Sequence, residues 1–179
     1  MILINNFNLL VSTSRFNESN AKAELWFTLL ICGDQYPIIS NVEYSGLITA
    51  FTSLNAKEVI KKIQDILKKD PNYFQYILKI IPIDFVCETN EDIIHQMIQT
   101  HYKDYMDDRQ SFKIYLKRRK SLIIKRERLI INIAKIFINK VDLNHTDIIV
   151  RIEVLGSICG ISFLNNNQTI KVKKEPQRD

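Results

Sequence analysis

The chain predicts an α+β protein of two domains, and three observations carry that expectation. Strand and helix signals in the first half run in the order β-α-β-β-α-β, the split arrangement of ferredoxin-like domains. The residues beyond about 110 start again as strand, helix, strand, strand. Charge divides along the same line: residues 1–90 hold eight basic and nine acidic side chains, residues 91–179 seventeen and eleven. A binding surface for an anionic partner is therefore expected in the second half, with the first half docking or positioning something.

Phe7 to Thr13 reads as a short apolar strand ending in Ser-Thr-Ser-Arg15. A helix from about Asn20 to Cys32 follows, stopped by Gly33-Asp34. Pro37 to Tyr44 and Leu47 to Thr52 are rich in β-branched and aromatic residues and read as strands, with Ser45-Gly46 as a tight hairpin turn. Asn55 to Lys69 is the clearest helix: Asn55 caps it, Glu58 stands three residues on, and Pro71 lies just past its end. The apolar segment Ile77 to Cys87 returns as a strand, broken or edged by Pro82.

Thr89-Asn90-Glu91-Asp92 has the form of a capping box and opens a helix expected to reach about Asp107. The strand Ser111–Arg119, the helix Leu122–Lys140 and the strands Asp147–Leu155 and Ile158–Leu164 complete the second half, with Gly156-Ser157 as a two-residue turn. The helix should show Lys125, Arg128, Asn132, Lys135 and Asn139 on one polar arc and Leu122, Leu129, Ile130, Ile133, Ala134 and Phe137 toward a sheet. The domains are drawn at 1–76 and 77–165, the strand 77–88 being open to either, with 166–179 as a frayed basic tail. No Gly/Ser linker separates them, so the N-terminal domain is expected to pack rigidly on the C-terminal one.

The charge is concentrated further still. Eight of the sixteen residues from Lys113 to Arg128 are Lys or Arg, against one acid, Glu127. On a strand, Phe112, Ile114 and Leu116 should face the core, and Lys113, Tyr115 and Lys117 the other side. The strand ends in Arg118-Arg119-Lys120-Ser121, where a helix is expected to start, so free N–H groups and guanidinium forks would converge on a place fit for a phosphate. Lys125, Arg126 and Arg128 follow on the helix, with Arg126 on its apolar side, either reaching round to that place or only snorkelling. The plain alternative is a solvated strand end. Coincidence of strand end, helix start and charge favours a nucleic-acid backbone.

Catalytic patterns are absent. There is neither GxGxxG nor GxxxxGK[ST], and the four glycines fit turns or strands better than a phosphate cradle. His101, Asp104 and Asp108 can share a helix face as metal ligands do, but with no second His or acidic partner in motif spacing a charged, exposed helix end is the favoured reading. His95 and His145 stand alone, and Ser12, Thr13 and Ser14 lack the glycines of a nucleophile elbow. No cofactor and no metal are expected. Cys32, Cys87 and Cys159 are odd in number, widely spaced and set in apolar segments, which reads as buried thiols of a reduced, cytoplasmic protein. The apolar stretches are too short and too charge-interrupted to span a bilayer.

The second half resembles a THUMP domain, the RNA-binding module of several tRNA-modifying proteins. The resemblance lies in Phe112-Lys-Ile-Tyr-Leu-Lys-Arg-Arg119, in Lys125-Arg-Glu-Arg-Leu-Ile130 with Ile133-Ala134, in Val141-Asp142-Leu143-Asn144-His145-Thr146-Asp147, and in the hairpin Val150–Val154 with Cys159–Ser162. The third stretch is similar to the family's V-D-L-x-x-P-D lead into a strand, with Thr146 where Pro is common. Asn8–Arg15 and the Ala21/Glu24 helix resemble the start of the Tan1 family, whose eukaryotic relatives are called THUMP-domain-containing protein. That resemblance implies a non-catalytic tRNA-binding adaptor, which serves a separate RNA cytidine acetyltransferase in N4-acetylcytidine formation. The sequence stops within about fifteen residues of the THUMP-like end, where related methyltransferases and thiouridine synthases add a catalytic domain. By resemblance Lys117, Arg118, Arg119 and Lys120 would meet phosphates, and Arg15 is a lesser candidate for RNA contact or docking. The rival readings are a small metal-dependent hydrolase or nuclease built on His101, and a protein-interaction module with a basic surface.

Overall fold

A computed structural model describes residues 6–119 and 124–172. They form two compact units, one running to Pro82 and taking back the residues from Gln168, the other spanning Ile83–Asn167.

The first unit is a sheet in the order β2-β3-β1-β4-β9, every neighbour antiparallel. Its strands are β1 (Leu9–Thr13), β2 (Ile38–Asn41), β3 (Leu47–Phe51), β4 (Ile77–Pro82) and β9 (Ile170–Lys171), and its helices α1 (Glu18–Ile31) and α2 (Ala56–Lys69). This is the ferredoxin-like order, with one extra strand. Leu9 and Val11 of β1 alternate into a core with Leu25 and Leu29 of α1, Val59, Ile60 and Ile63 of α2, and Ile77 and Ile80 of β4. Asn55 caps α2 through its side chain, accepting from the N–H groups of Lys57 and Glu58. Glu24, midway along α1, accepts from the backbone N–H groups of Gln75, Tyr76 and Ile77 at 2.6, 3.1 and 2.8 Å, fixing where β4 begins.

Three expectations are revised in this unit. The Ser45-Gly46 turn is not a two-residue hairpin, because Asn41 pairs with Ile48 and leaves six residues between them. Gly46 instead takes φ +77° in a turn closed by the Leu47 N–H on the Tyr44 carbonyl at 3.1 Å. The expected strand Ile77–Cys87 divides at Pro82: β4 stays in this sheet, and β5 (Phe85–Glu88) joins the other. Within the expected tail, Ile170 is buried and pairs with Ile80.

The second unit carries β5, β6 (Phe112–Arg119), β7 (Ile148–Leu155) and β8 (Ile158–Leu164) in the order β5-β8-β7-β6. Only β6 and β7 run parallel. Gly156-Ser157 makes the expected two-residue turn between Leu155 and Ile158, with Gly156 at φ +62°. Helices α3 (Glu91–His101) and α4 (Arg126–Ala134) pack Ile94, Ile98, Leu129 and Ile133 against Phe112, Leu116, Val150, Ile152, Val154 and Phe163. Asn90 caps α3, accepting from the N–H groups of Asp92 and Ile93.

Both helices are shorter than their periodicity predicts. After His101 the chain tightens into a 3-10 turn, Tyr102–Asp104, which seats Tyr102 against Phe137 at 5.1 Å between ring centres. Beyond Ala134 the segment is turned by tertiary contacts: Phe137 packs on Phe112 at 4.3 Å. Asn139, expected on the polar arc, is buried, and its amide donates to the carbonyls of Asp107 and Gln110 at 2.8 and 2.9 Å. Residues 122 and 123 of the expected helix lie outside the described residues.

Candidate nucleic-acid interface

Alternation on β6 divides the basic cluster in two. Phe112 and Leu116 are buried beneath the helices, and Arg118 shares their side. Lys113, Tyr115, Lys117 and Arg119 stand on the opposite face as one row. β6 is the edge of its sheet, bonded to β7 on one side.

Within that row the side chains differ in freedom. Lys113 donates to the carbonyl of Leu143 at 3.3 Å. Lys117 is exposed, and Arg119 is half-buried, its Nε itself buried and without a hydrogen-bond partner among the described residues. Across the strand, Tyr115 pairs with Arg151 and Lys117 with Glu153. Arg151 and Glu153 are both buried and joined as an ion pair, Arg151 Nε donating to Glu153 Oε1 at 2.8 Å. Because those charges cancel each other, the charge of the row is that of its lysines and Arg119.

The helix side is arranged differently. A guanidinium N–H of Arg118 donates to the carbonyl of Ile124, so this arginine ties the strand end to the start of α4. The expected helix start at the strand end is thereby corrected: α4 opens at Arg126, with Lys125 at its cap position and no capping side chain. Its first N–H groups consequently stand among the exposed Lys125 and Arg126, where an anion is stabilised by the helix dipole. Arg126, expected on the apolar side, is exposed at the first helical position. Arg128 is engaged, its Nε 3.2 Å from Glu91 Oε2. Lys120 lies outside the described residues. Arg15 is exposed in the other unit, just before Phe16, which holds a positive φ of 69°.

The residues of the hydrolase alternative are packed otherwise. The His101 ring stacks on Phe85 at 4.3 Å, and its Nδ1 lies 3.7 Å from Asp104. Among the described residues no three His, Cys, Asp or Glu side chains are grouped to hold a metal ion. No helix among them is long and apolar enough to cross a membrane.

The approach to β6 is held by two carboxylates. Asp142 accepts from the N–H groups of Asn144 and His145 at 2.9 and 2.8 Å, and Asp147 from the Ser111 N–H and hydroxyl, both at 2.8 Å. The bond from the His145 N–H holds Asp142 below the usual carboxylate range, and that from the Ser111 N–H does the same for Asp147. The sequence signalled this stretch only as a pattern. The Tyr115–Arg151 and Glu91–Arg128 pairs it did not signal, because both depend on which strand and helix become neighbours.

A four-stranded mixed sheet with two helices packed against it and a basic edge strand makes the second unit a small α+β domain. Residues 87–164 match the THUMP domain, so the second unit is a THUMP domain. The chain is 29% identical over 110 residues to the THUMP domain-containing protein 1 homolog of Drosophila melanogaster, covering 58% of this chain and 34% of that protein. Among solved structures it is similar to PH1313 from Pyrococcus horikoshii Ot3, with 18% identity and a TM-score of 0.65 over 93% of this chain and 55% of that one. A 4-thiouridine synthetase solved with RNA and bound ATP gives 12% identity and a TM-score of 0.59, over 93% of this chain and 42% of that one. TrmN from Thermus thermophilus gives 10% and 0.55, over 87% and 44%. At these identities the structural likeness is one of fold. The chain spans about a third of the curated relative's length and about half of PH1313's.

Proposed function

We propose that this chain binds tRNA through its THUMP domain and presents it, in the cytoplasm, to a separate RNA cytidine acetyltransferase for N4-acetylcytidine formation. In this reading the chain is an adaptor of the Tan1 type and carries out no chemistry itself. The observation that carries RNA binding is the basic row on the edge strand of a THUMP domain, in which Lys117 is exposed and Arg119 half-buried. Lys125 and Arg126 at the start of α4 add a second group of phosphate contacts, with Lys113, Arg118 and Arg128 beside them; Lys120 lies outside the described residues, and Arg15, in the other unit, is a separate candidate. Support for a tRNA partner comes from the likeness to a THUMP domain-containing protein 1 homolog, and from a fold shared with a 4-thiouridine synthetase bound to RNA.

Contacts of this kind are electrostatic, so affinity should fall steeply with salt, by a log–log slope of about 0.7–0.9 per phosphate neutralised. The adaptor role is tested by reconstitution. Purified acetyltransferase, tRNA and acetyl donor are combined with and without this chain, and N4-acetylcytidine is measured. Formation that needs the chain supports the role; formation at the same rate without it removes the role and leaves RNA binding standing.

A further inference from the structure

We propose that Tyr115 is the stacking surface for an unpaired nucleobase of the bound RNA, an inference that rests on the RNA-binding reading above. Phe112, Phe163, Tyr102 and Phe137 are at most 8% exposed, and the half-buried Phe85 and Tyr105 are stacked on His101 and Phe163, whereas Tyr115 is 42% exposed. It stands on the edge strand in the same row as Lys113, Lys117 and Arg119, between cations on either side. Same-face neighbours on a strand are about 6.5 Å apart. A base lying on the ring therefore leaves its adjoining phosphate within reach of Lys117.

The ring is also held in place. Arg151, its partner across the strand, sets its guanidinium carbon 4.3 Å from the ring centre. Arg151 cannot swing away to a phosphate, because it is buried and bonded to Glu153. One side of the ring is thus backed by a fixed cation, and the exposed remainder is presented without loss of side-chain freedom on binding. Such a surface takes any base, since each has a π face, and takes it only from a strand whose bases are not already stacked in a duplex. The ligand class is an unpaired RNA segment, read with little sequence preference.

The test uses the full chain and three probes: total tRNA, an unstructured oligoadenylate carrying 2-aminopurine, and a blunt RNA duplex of the same length. Wild type is expected to bind the oligoadenylate and change its 2-aminopurine fluorescence. Tyr115→Leu should lose that change and bind the single strand about tenfold more weakly, with duplex affinity and salt slope unaltered. Tyr115→Phe should behave as wild type, which separates stacking from any role of the hydroxyl. Single-strand binding by Tyr115→Leu at wild-type strength, while Lys117→Ala/Arg119→Ala is weakened, would overturn the stacking surface and leave RNA binding intact. Equal weakening of Tyr115→Leu on single strand and duplex would show a structural role and also overturn it. Failure of the wild type to bind any of the three would remove both readings.

Discussion

The guanidinium of Arg118 is bonded to the backbone carbonyl of Ile124, two residues ahead of the first residue of α4. A residue that sequence alone places at the centre of an RNA-binding cluster is in part a fastener between the edge strand and the helix start. Its neighbours Lys117 and Arg119 lie on the opposite face of β6, free of that duty.

Replacing Arg118 should accordingly cost stability as well as any RNA affinity. Arg118→Ala removes one charge-assisted bond to the carbonyl of the buried Ile124, worth about 1.5–3 kcal/mol net. Urea unfolding should show a lowered midpoint for Arg118→Ala and an unchanged one for Lys117→Ala.

The Arg151–Glu153 pair is buried, so removing one partner strands the other. Arg151→Ala should destabilise the protein by about 3–5 kcal/mol. Replacing both with leucine should recover most of that loss, because the desolvation penalty disappears with the charges. Thermal unfolding of the single and double variants checks this directly.

Gly46 is constrained by its conformation and by its neighbour. A Cβ there would meet the Thr13 carbonyl oxygen at 2.9 Å, on a residue with φ +77°. Gly46→Ala is expected to cost about 1–3 kcal/mol, whereas Ser45→Ala beside it should cost little. Denaturant midpoints of the two variants provide the comparison.

Acid should loosen the segment that leads into β6 and β7. Asp142 and Asp147 titrate below their ordinary range in the folded chain, held down by the His145 and Ser111 N–H groups respectively. Groups with depressed folded values stabilise the fold above the unfolded carboxylate pKa, about 3.9 for Asp. That contribution is lost as pH falls through the folded value. Stability measured from neutral pH downward should drop in that acid window, and the drop should shrink in Asp147→Asn, whose neutral side chain no longer takes up a proton.

Local signals carried the fold where they were chemically strong. The Asn55 cap, the helix start at Glu91, the Gly156-Ser157 turn and the β-α-β-β-α-β order appear as read, because each depends on residues close in sequence, whereas the cap of α3 is the Asn90 side chain and not a capping box from Thr89. The shortened α4 and the buried Asn139 were not legible, since periodicity continues past Ala134 and only the contacts of Phe137 and Asn139 end the helix. β9 escaped for a similar reason: two residues, Ile170 and Lys171, are too few to show a pattern until β4 offers them an edge. The candidate interface was legible as composition. Its division into an outer row and a helix side followed from strand alternation, but the engagement of Arg118 with Ile124 and of Arg128 with Glu91 requires the tertiary fold.

RNA phosphates are proposed to lie along the outer row of β6. The most direct measurement is the affinity of purified chain for total tRNA across a salt series, wild type against Lys117→Ala/Arg119→Ala. Wild type is expected to bind, and the variant to bind more weakly with a log–log salt slope smaller by about 1.4–1.8, the share of two phosphates, at an unchanged melting temperature. Equal affinity and equal slope in the two proteins, both folded, would contradict it.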